Sequence, residues 1–370
     1  MKVATIILFF ISLSLSELKL RDITTMELTK EMGIGINLGN TVESCGDWIW
    51  EYGDHSVNSY ETAWGSPEIK KEMIEGIKKE GFGVMRLPVH WFNLMSDNYK
   101  INKDYMARVK QVVDWAIDAK LYVILNIHHD EKEFFKSMPS KVEETISNFR
   151  KIWEQIADTF QDYDDHLMFE ALNEEACWGD VFNQWSGSDV GKKDVFDYTY
   201  KLNQAFVDVI RSSGGNNPER HLLIAGYCTD AALTCDNLFK MPSDPLNRLA
   251  VSIHYYTPST FCILEEDADW GKAQSKWGSQ NEVKELNSNF DMIKSRYIDK
   301  GIPVIIGEYG ATTKNKDMDS VRNFLYSVCK ACYDRKIVPI LWDTPGGFYD
   351  REKAALSDSV LKEMLNSVKG

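Results

Sequence analysis

The chain has 370 residues, 44% of them hydrophobic and 26% charged, with a formal net charge of −14. So acidic a balance argues against nucleic acid or an anionic membrane surface as partner and leaves an uncharged ligand unopposed. The hydrophobic share is enough for a large core, and the length fits two domains or one large α/β barrel.

Met1-Lys2 opens an apolar run from Val3 through Leu15, with Ser14 and Ser16 as small residues at its end. That pattern predicts a signal peptide over residues 1–16, a catalytic domain over 17–370 and export to the extracellular space. The run is shorter than the roughly 20 residues needed to span a bilayer, so a membrane anchor is not expected. The seven cysteines are Cys45, Cys177, Cys228, Cys235, Cys262, Cys329 and Cys332. An odd number leaves at least one thiol outside any intrachain bond. Cys228 and Cys235 are close enough in sequence to bridge a turn. Cys329 and Cys332 share a helical pattern and are expected as buried thiols, since neither a second pair nor a nearby histidine completes a zinc site.

Taken in order, short apolar runs alternate with helical patterns. Gly33 to Gly39 predicts the first strand, followed by Asn40 and a long aromatic loop. Ser66 with Pro67 reads as the start of a helix carrying Ile69, Met73, Ile74 and Ile77 on one face and ending by Gly81. Val84 to Val89 predicts a strand and Asp104 to Lys120 its helix, then Tyr122 to His128 and Val142 to Phe160. Leu167 to Glu174 is the fourth strand, with a helix through Phe196, Phe206 and Ile210. His221 to Tyr227 and Leu249 to Tyr256 follow, then a helix through Leu286, Phe290 and Ile293. Pro303 to Gly310 and Ile337 to Asp343 complete eight strands, and a last helix runs to about Val368. Short, fully apolar strands between helices predict a single (β/α)8 TIM barrel whose long βα loops form a substrate cleft.

In such a barrel chemistry sits at the carboxyl ends of the strands. There this sequence places Arg86, His128, Asn173, Glu174, His254, Tyr256, Glu308 and Trp342. A polar group ending an apolar strand is costly unless paired or used. Glu174 and Glu308 at one mouth would supply the two carboxyls a retaining glycosidase needs. Glu175 competes with Glu174, but adjacent strand residues face opposite ways. His128-His129-Asp130 makes a poor metal site for the same reason, so neither a metal nor any other cofactor is expected.

These residues resemble the active-site set of glycoside hydrolase family 5. The motifs that match are Arg86-Leu-Pro-Val, Ile127-His128-His129, Leu172-Asn173-Glu174, His254-Tyr255-Tyr256, Gly307-Glu308-Tyr309-Gly310 and Leu341-Trp342. Asn37-Leu38-Gly39-Asn40-Thr41 and Glu61-Thr62-Ala63-Trp64-Gly65 further resemble subfamily 4, which includes endoglucanases of anaerobic rumen fungi. The resemblance implies Glu174 as acid/base and Glu308 as nucleophile. Arg86 and Tyr256 would hold Glu308, Asn173 would meet the sugar 2-hydroxyl, His128 and His254 would complete the network, and Trp342 would lie beneath the reacting sugar. It further implies a monomeric enzyme acting on a β-glucan polysaccharide.

Eight of the eleven tryptophans (48, 50, 64, 178, 185, 270, 277 and 342) fall in or near loops after strands, which points to a groove where flat rings stack on sugars. Asn40, Trp64, His129 and Trp178 are the expected subsite residues. Xyloglucan, xylan or mannan are alternative substrates for the same mechanism. A non-catalytic sugar-binding barrel would have lost one of the two carboxyls, and a phosphate-binding enzyme would need a better glycine-rich loop than Gly346-Gly347.

Overall fold

The computed structural model describes residues 20–129, 135–174 and 177–369. Residues 1–16, Asp130 and Glu175 of the sequence reading lie outside the described residues. Eight parallel strands close a barrel in sequence order: β1 (Gly35–Asn37), β2 (Val84–Leu87), β3 (Tyr122–Asn126), β4 (Leu167–Glu170), β5 (Leu222–Ala225), β6 (Leu249–Tyr255), β7 (Val304–Tyr309) and β8 (Val338–Leu341), with β8 pairing back onto β1. The crossover helices are Lys71–Lys79, Lys103–Asp118, Val142–Thr159, Lys192–Ser212, Gln280–Arg296, Met318–Asp334 and Ser359–Ser367, while after β5 only the turn Ala231–Thr234 remains.

The strands read as continuous apolar runs because both faces are buried. Met85, Leu87, Phe169, Ile306 and Leu341 face outward into the layer between barrel and helices. Val84, Ile124, Met168, Leu223, Ile305 and Ile340 face inward and fill the lower bore. A helix absent from the sequence reading, Thr25–Met32, closes the bottom, and its Leu28 and Met32 join the inner cluster. Thr24 and Glu27 form a reciprocal capping box that fixes where this helix starts. Leu28→Ala leaves a hole under the bore with little means of collapsing, so a loss of about 3 kcal/mol is expected, read from urea unfolding midpoints. The last helix packs beside the same end, where Lys362 Nζ meets Glu80 Oε1 at 2.9 Å and Lys369 Nζ donates to Gly81 O.

Above the apolar layer the inward positions turn polar: Asn37, Arg86, Asn126, Glu170 and Ser252 are all buried. In β7, strict alternation from inward Ile305 would turn Glu308 outward. Instead the register against β6 shifts, so that Ile253 pairs with Ile306 but His254 with Glu308. Gly307 is the extra residue of this bulge, and a Cβ there would meet Ser252 Oγ at 3.0 Å and His254 Nε2 at 3.1 Å. The bulge brings Glu308 back to the bore.

Three local expectations are corrected. β4 ends at Glu170, so Asn173 and Glu174 stand on an irregular segment above it rather than in the strand. The helix expected at Ser66 starts at Lys71, because the segment before it is tied down outside a helix by Glu61, which accepts the Ile69 N–H, and by Arg108, which binds Glu61 and, at 2.7 Å, Ile69 O. Cys228 pairs with Cys177 across the loops after β4 and β5, not with Cys235, which lies unbridged at the end of the turn Ala231–Thr234. Cys329 and Cys332 are buried and unbridged, as expected.

Candidate active site

Arg86 organises the top of the bore from a fully buried position. Its Nε donates to Glu170 Oε2 at 2.7 Å, Nη1 to Glu308 Oε1 at 2.8 Å and to Asn37 Oδ1 at 3.0 Å, and Nη2 to Asn173 Oδ1 at 2.8 Å. Burial alone would weaken the charge, but the carboxylates of Glu170 and Glu308 outweigh it and hold the guanidinium charged. Glu170 in turn accepts from Ser252 Oγ at 2.6 Å. Asn37 donates to Gly307 O at 2.9 Å, which steadies the bulge under Glu308.

Glu308 is nearly enclosed, with its other oxygen accepting from Tyr256 OH at 3.0 Å. Glu174 stands across from it with its side chain 48% exposed, against 7% for Glu308. His254 Nδ1 lies 2.7 Å from Glu174 Oε1 and 3.6 Å from Glu308 Oε2. Oxygens of the two carboxyls and a ring nitrogen of His254 all lie within 4.8 Å of one another. That closeness fits the roughly 5 Å of a retaining pair and not the 6.5–9.5 Å that leaves room for a water.

The three groups titrate together. Burial opposes charge on His254, but Glu308 first and then Glu174 outweigh it, so its pKa is raised. Burial pushes Glu308 up against the pull of His254 and Arg86, so it ionises later on rising pH than an ordinary carboxyl. Burial acts on Glu174 in the same sense, but the hydrogen bond with His254 outweighs it and holds Glu174 low.

His128 is stacked parallel to Trp342 at 6.0 Å between ring centres. Asn126 Oδ1 accepts the Val89 N–H at 3.2 Å, which turns its amide nitrogen to His128 Nδ1 at 3.1 Å. An amide nitrogen only donates, so Nδ1 accepts and the proton sits on Nε2. Burial, followed by the charges around it, keeps this ring neutral by lowering its pKa far below the usual range. His129 packs edge-on against both His128 and Trp64, at 4.3 and 5.5 Å, and burial lowers its pKa to about 4.

A trough of about 910 Å³ opens from His129 and Asn173 past Glu174 to Trp185, Asp230 and Ile263. Trp185, one of the eight loop tryptophans expected in the groove but not among the four expected subsite residues, is 86% exposed on its rim. Trp178 is corrected: it is buried, donates from Nε1 to Phe135 O at 2.9 Å and packs on Tyr198 and Tyr227, so it supports the loop rather than meeting a sugar. Trp64 and Asn40 are half-buried, and Asn40 adopts a left-handed φ of 56°.

Residues 45–346 match the family model described as cellulase (glycosyl hydrolase family 5). The chain belongs to glycoside hydrolase family 5. This family 5 member is 34% identical to Endoglucanase A of Clostridium longisporum over 92% of its own length and 63% of that protein, so it spans somewhat less than two thirds of that relative. It superposes on a subfamily 4 broad specificity endoglucanase from an uncultured bovine rumen ciliate with a TM-score of 0.82 at 35% identity, over 94% of this chain and 98% of that one. A family 5 lichenase from Caldicellulosiruptor sp. F32, a mutant in complex with cellotetraose, gives a TM-score of 0.86 at 32% identity over 95% and 96% of the two chains.

Glu170, Ser252 and Asn126 are absent from the expected site, and Asn37 enters it only as part of a motif, although each is a polar residue inside an apolar strand, where burial without a partner would be costly. Glu43 carries no such signal, since it sits in a loop. It is fully buried, and its carboxyl accepts the backbone N–H of Asn40 and, at 2.8 Å, that of Thr41. Burial outweighs these bonds and pushes Glu43 up to about 7. Its folded pKa is thus above that of the unfolded chain, so the stability tied to its proton is present at pH 4 and is lost as the pH rises through 7. Glu43→Gln is expected to flatten that slope, measured as the difference between urea midpoints at pH 5 and pH 8.

Proposed function

We propose that this family 5 enzyme is an endo-acting, retaining hydrolase of β-1,4-linked glucans, cellulose-like or mixed-linkage, with Glu308 as nucleophile and Glu174 as acid/base. The observation that carries the reading is the close pair of carboxyls, one clamped by Arg86 and Tyr256 and the other half-exposed on the open trough. Two hydrogen bonds orient Glu308 and favour the charge it must hold to attack an anomeric carbon.

The leaving oxygen needs a proton, and His254, whose pKa is raised by Glu308 and Glu174, stands 2.7 Å from Glu174, whose pKa its hydrogen bond lowers, so the contact is a route for one. Transfer along that contact arms Glu174 as the acid, which then protonates the glycosidic oxygen as the C–O bond breaks. Esterification of Glu308 removes its negative charge, the largest influence raising His254. Glu174 then takes a proton from the incoming water, which attacks the same anomeric carbon and frees Glu308. Asn173, held by Arg86 through its Oδ1 beside Glu174, is assigned to the sugar 2-hydroxyl. Trp342, stacked over His128, forms the floor. With Arg86 beside Glu308, a bound cation is opposed in this cluster, so the reading uses no metal.

The trough is bordered by the exposed Trp185 and Ile263 rather than by a closed wall, which favours a branched glucan such as xyloglucan as a second substrate. Reducing-end release and viscosity on soluble mixed-linkage glucan, carboxymethyl cellulose, xyloglucan, xylan and mannan test the reading. The expected result is a fall in viscosity far ahead of reducing ends on the glucans, with the β-anomer formed first. An α-anomer first, or no release from any of them, overturns it. Export of the chain is a further part of the proposal, tested by whether the protein recovered from the medium of its expression host begins at residue 17. Among the described residues no helix is long and apolar enough to cross a membrane.

A further inference from the structure

Beyond the reacting pair, three segments bring Asn40, Trp64 and Trp342 to the mouth, and a single buried side chain touches all three segments. Arg351 lies in the loop after β8 and is almost wholly inaccessible. Its Nη1 donates to Ser66 Oγ at 2.8 Å, two residues from Trp64. Its Nη2 donates to Gly39 O, next to Asn40, and at 3.2 Å to Asp343 O, next to Trp342. The joint is reinforced where Gly39 N donates to Asp343 O at 3.1 Å. Gly39 sits so close to the tryptophan that a Cβ there would come within 2.9 Å of the Trp342 ring and 2.7 Å of Asp343 O.

Two carboxyls complete the unit. Asp343 lies 3.6 Å from Arg351 and accepts the N–H of Phe348 and Tyr349 at 2.7 and 2.9 Å, which folds the loop back toward the Gly39 and Ser66 acceptors of Arg351. Glu43, within the field of Arg351, holds Asn40 in its left-handed conformation through the two N–H bonds already described.

We infer that Arg351 is a positioning residue for the glycan subsites: its guanidinium sets the mutual placement of Asn40, Trp64 and Trp342, and so decides how a chain is registered across the reacting pair. The inference rests on the hydrolase reading above and deepens it. A planar fork with fixed donors can bridge acceptors on three segments at once, whereas an ammonium of equal charge cannot hold that spread. Misplacement of about 1 Å at such a distance from the chemistry is enough to alter rate and register.

The test uses the full-length enzyme and cellotetraose, with rates per mole of folded protein. Arg351→Lys is expected to lower kcat/KM at least about tenfold and to change the ratio of cellobiose to glucose plus cellotriose. Ser66→Ala removes one strut only and should shift the same ratio in the same direction, with an unchanged melting temperature. A product ratio equal to wild type in both variants overturns the inference whatever the rate, because a merely destabilised enzyme loses active molecules without changing which bond it cuts. If Arg351→Lys does not fold, the product ratio of Ser66→Ala decides alone. Wild type and Glu308→Gln run alongside: an inert wild type on every glucan refutes the hydrolase reading itself, while an active wild type with a dead Glu308→Gln leaves Arg351 to be judged on the product ratio.

Discussion

Glu308→Gln is expected to lower kcat on soluble β-glucan at least about a thousandfold, or roughly 4 kcal/mol of transition-state stabilisation. The amide keeps the shape and can still meet Tyr256, but it cannot form the covalent bond to the anomeric carbon. Glu174→Gln should lose a similar factor on the polymer for a different reason, because the leaving sugar oxygen is basic and must be protonated as it departs. A synthetic glycoside with a nitrophenolate leaving group separates the two roles. Its departure needs no proton, so Glu174→Gln should give a burst of one nitrophenolate per active site followed by slow turnover, while Glu308→Gln gives no burst. A burst from Glu308→Gln, or none from Glu174→Gln, would exchange or cancel the assignment.

Arg86→Met carries the second large expectation, this time on stability. The change fills similar space but takes the guanidinium away from Glu170, leaves Glu308 with His254 as its remaining cationic neighbour, and removes the Arg86 hydrogen bonds to Asn37 and Asn173. Removing one partner of a buried ion pair typically costs about 3–5 kcal/mol, far more than the intact pair contributes. Urea unfolding at pH 7 measures it. Adding Glu170→Gln to Arg86→Met should recover part of the loss, because one of the stranded charges is then gone. A loss below about 1 kcal/mol in the single variant would mean that water replaces the guanidinium at little cost.

Much of this site is legible in sequence because a parallel barrel imposes a simple grammar. A strand covered on both faces is apolar from end to end, so Arg86, His254 and Glu308 stand out as interruptions at its close. The ends are less legible: the apolar run through Leu172 continues past β4, so sequence alone extends the strand too far. Glu308 was placed correctly by its position at a strand end, yet alternation from Ile305 would have sent it outward. Only the bulge at Gly307 reconciles the two, and a lone glycine in a strand hints at a bulge without locating it. The bottom helix carries a readable signal in Thr24-x-x-Glu27, a capping box at its start. Arg351 had none, since nothing in its own stretch of chain ties it to Gly39 or Ser66. Cys177 and Cys228 are 51 residues apart, and spacing alone favoured the shorter, wrong pairing. Trp178 shows the reverse error, a ring assigned to the groove because loops after strands are rich in indoles, when its Nε1 was already committed to Phe135 O.

The helix Thr25–Met32 that stoppers the bore and the C-terminal end of the helix Ser359–Ser367, beside Gly81, lie at the same pole, opposite the trough. A tether attached ahead of the first or behind the second would therefore hold the molecule by its closed end. Grafted to a bead, a scaffold or a cell wall through either attachment, the enzyme would present its cleft outward, and a crowded layer of such molecules would keep access to a long polymer. A graft into residues 257–279, on the open pole, would instead wall the cleft off.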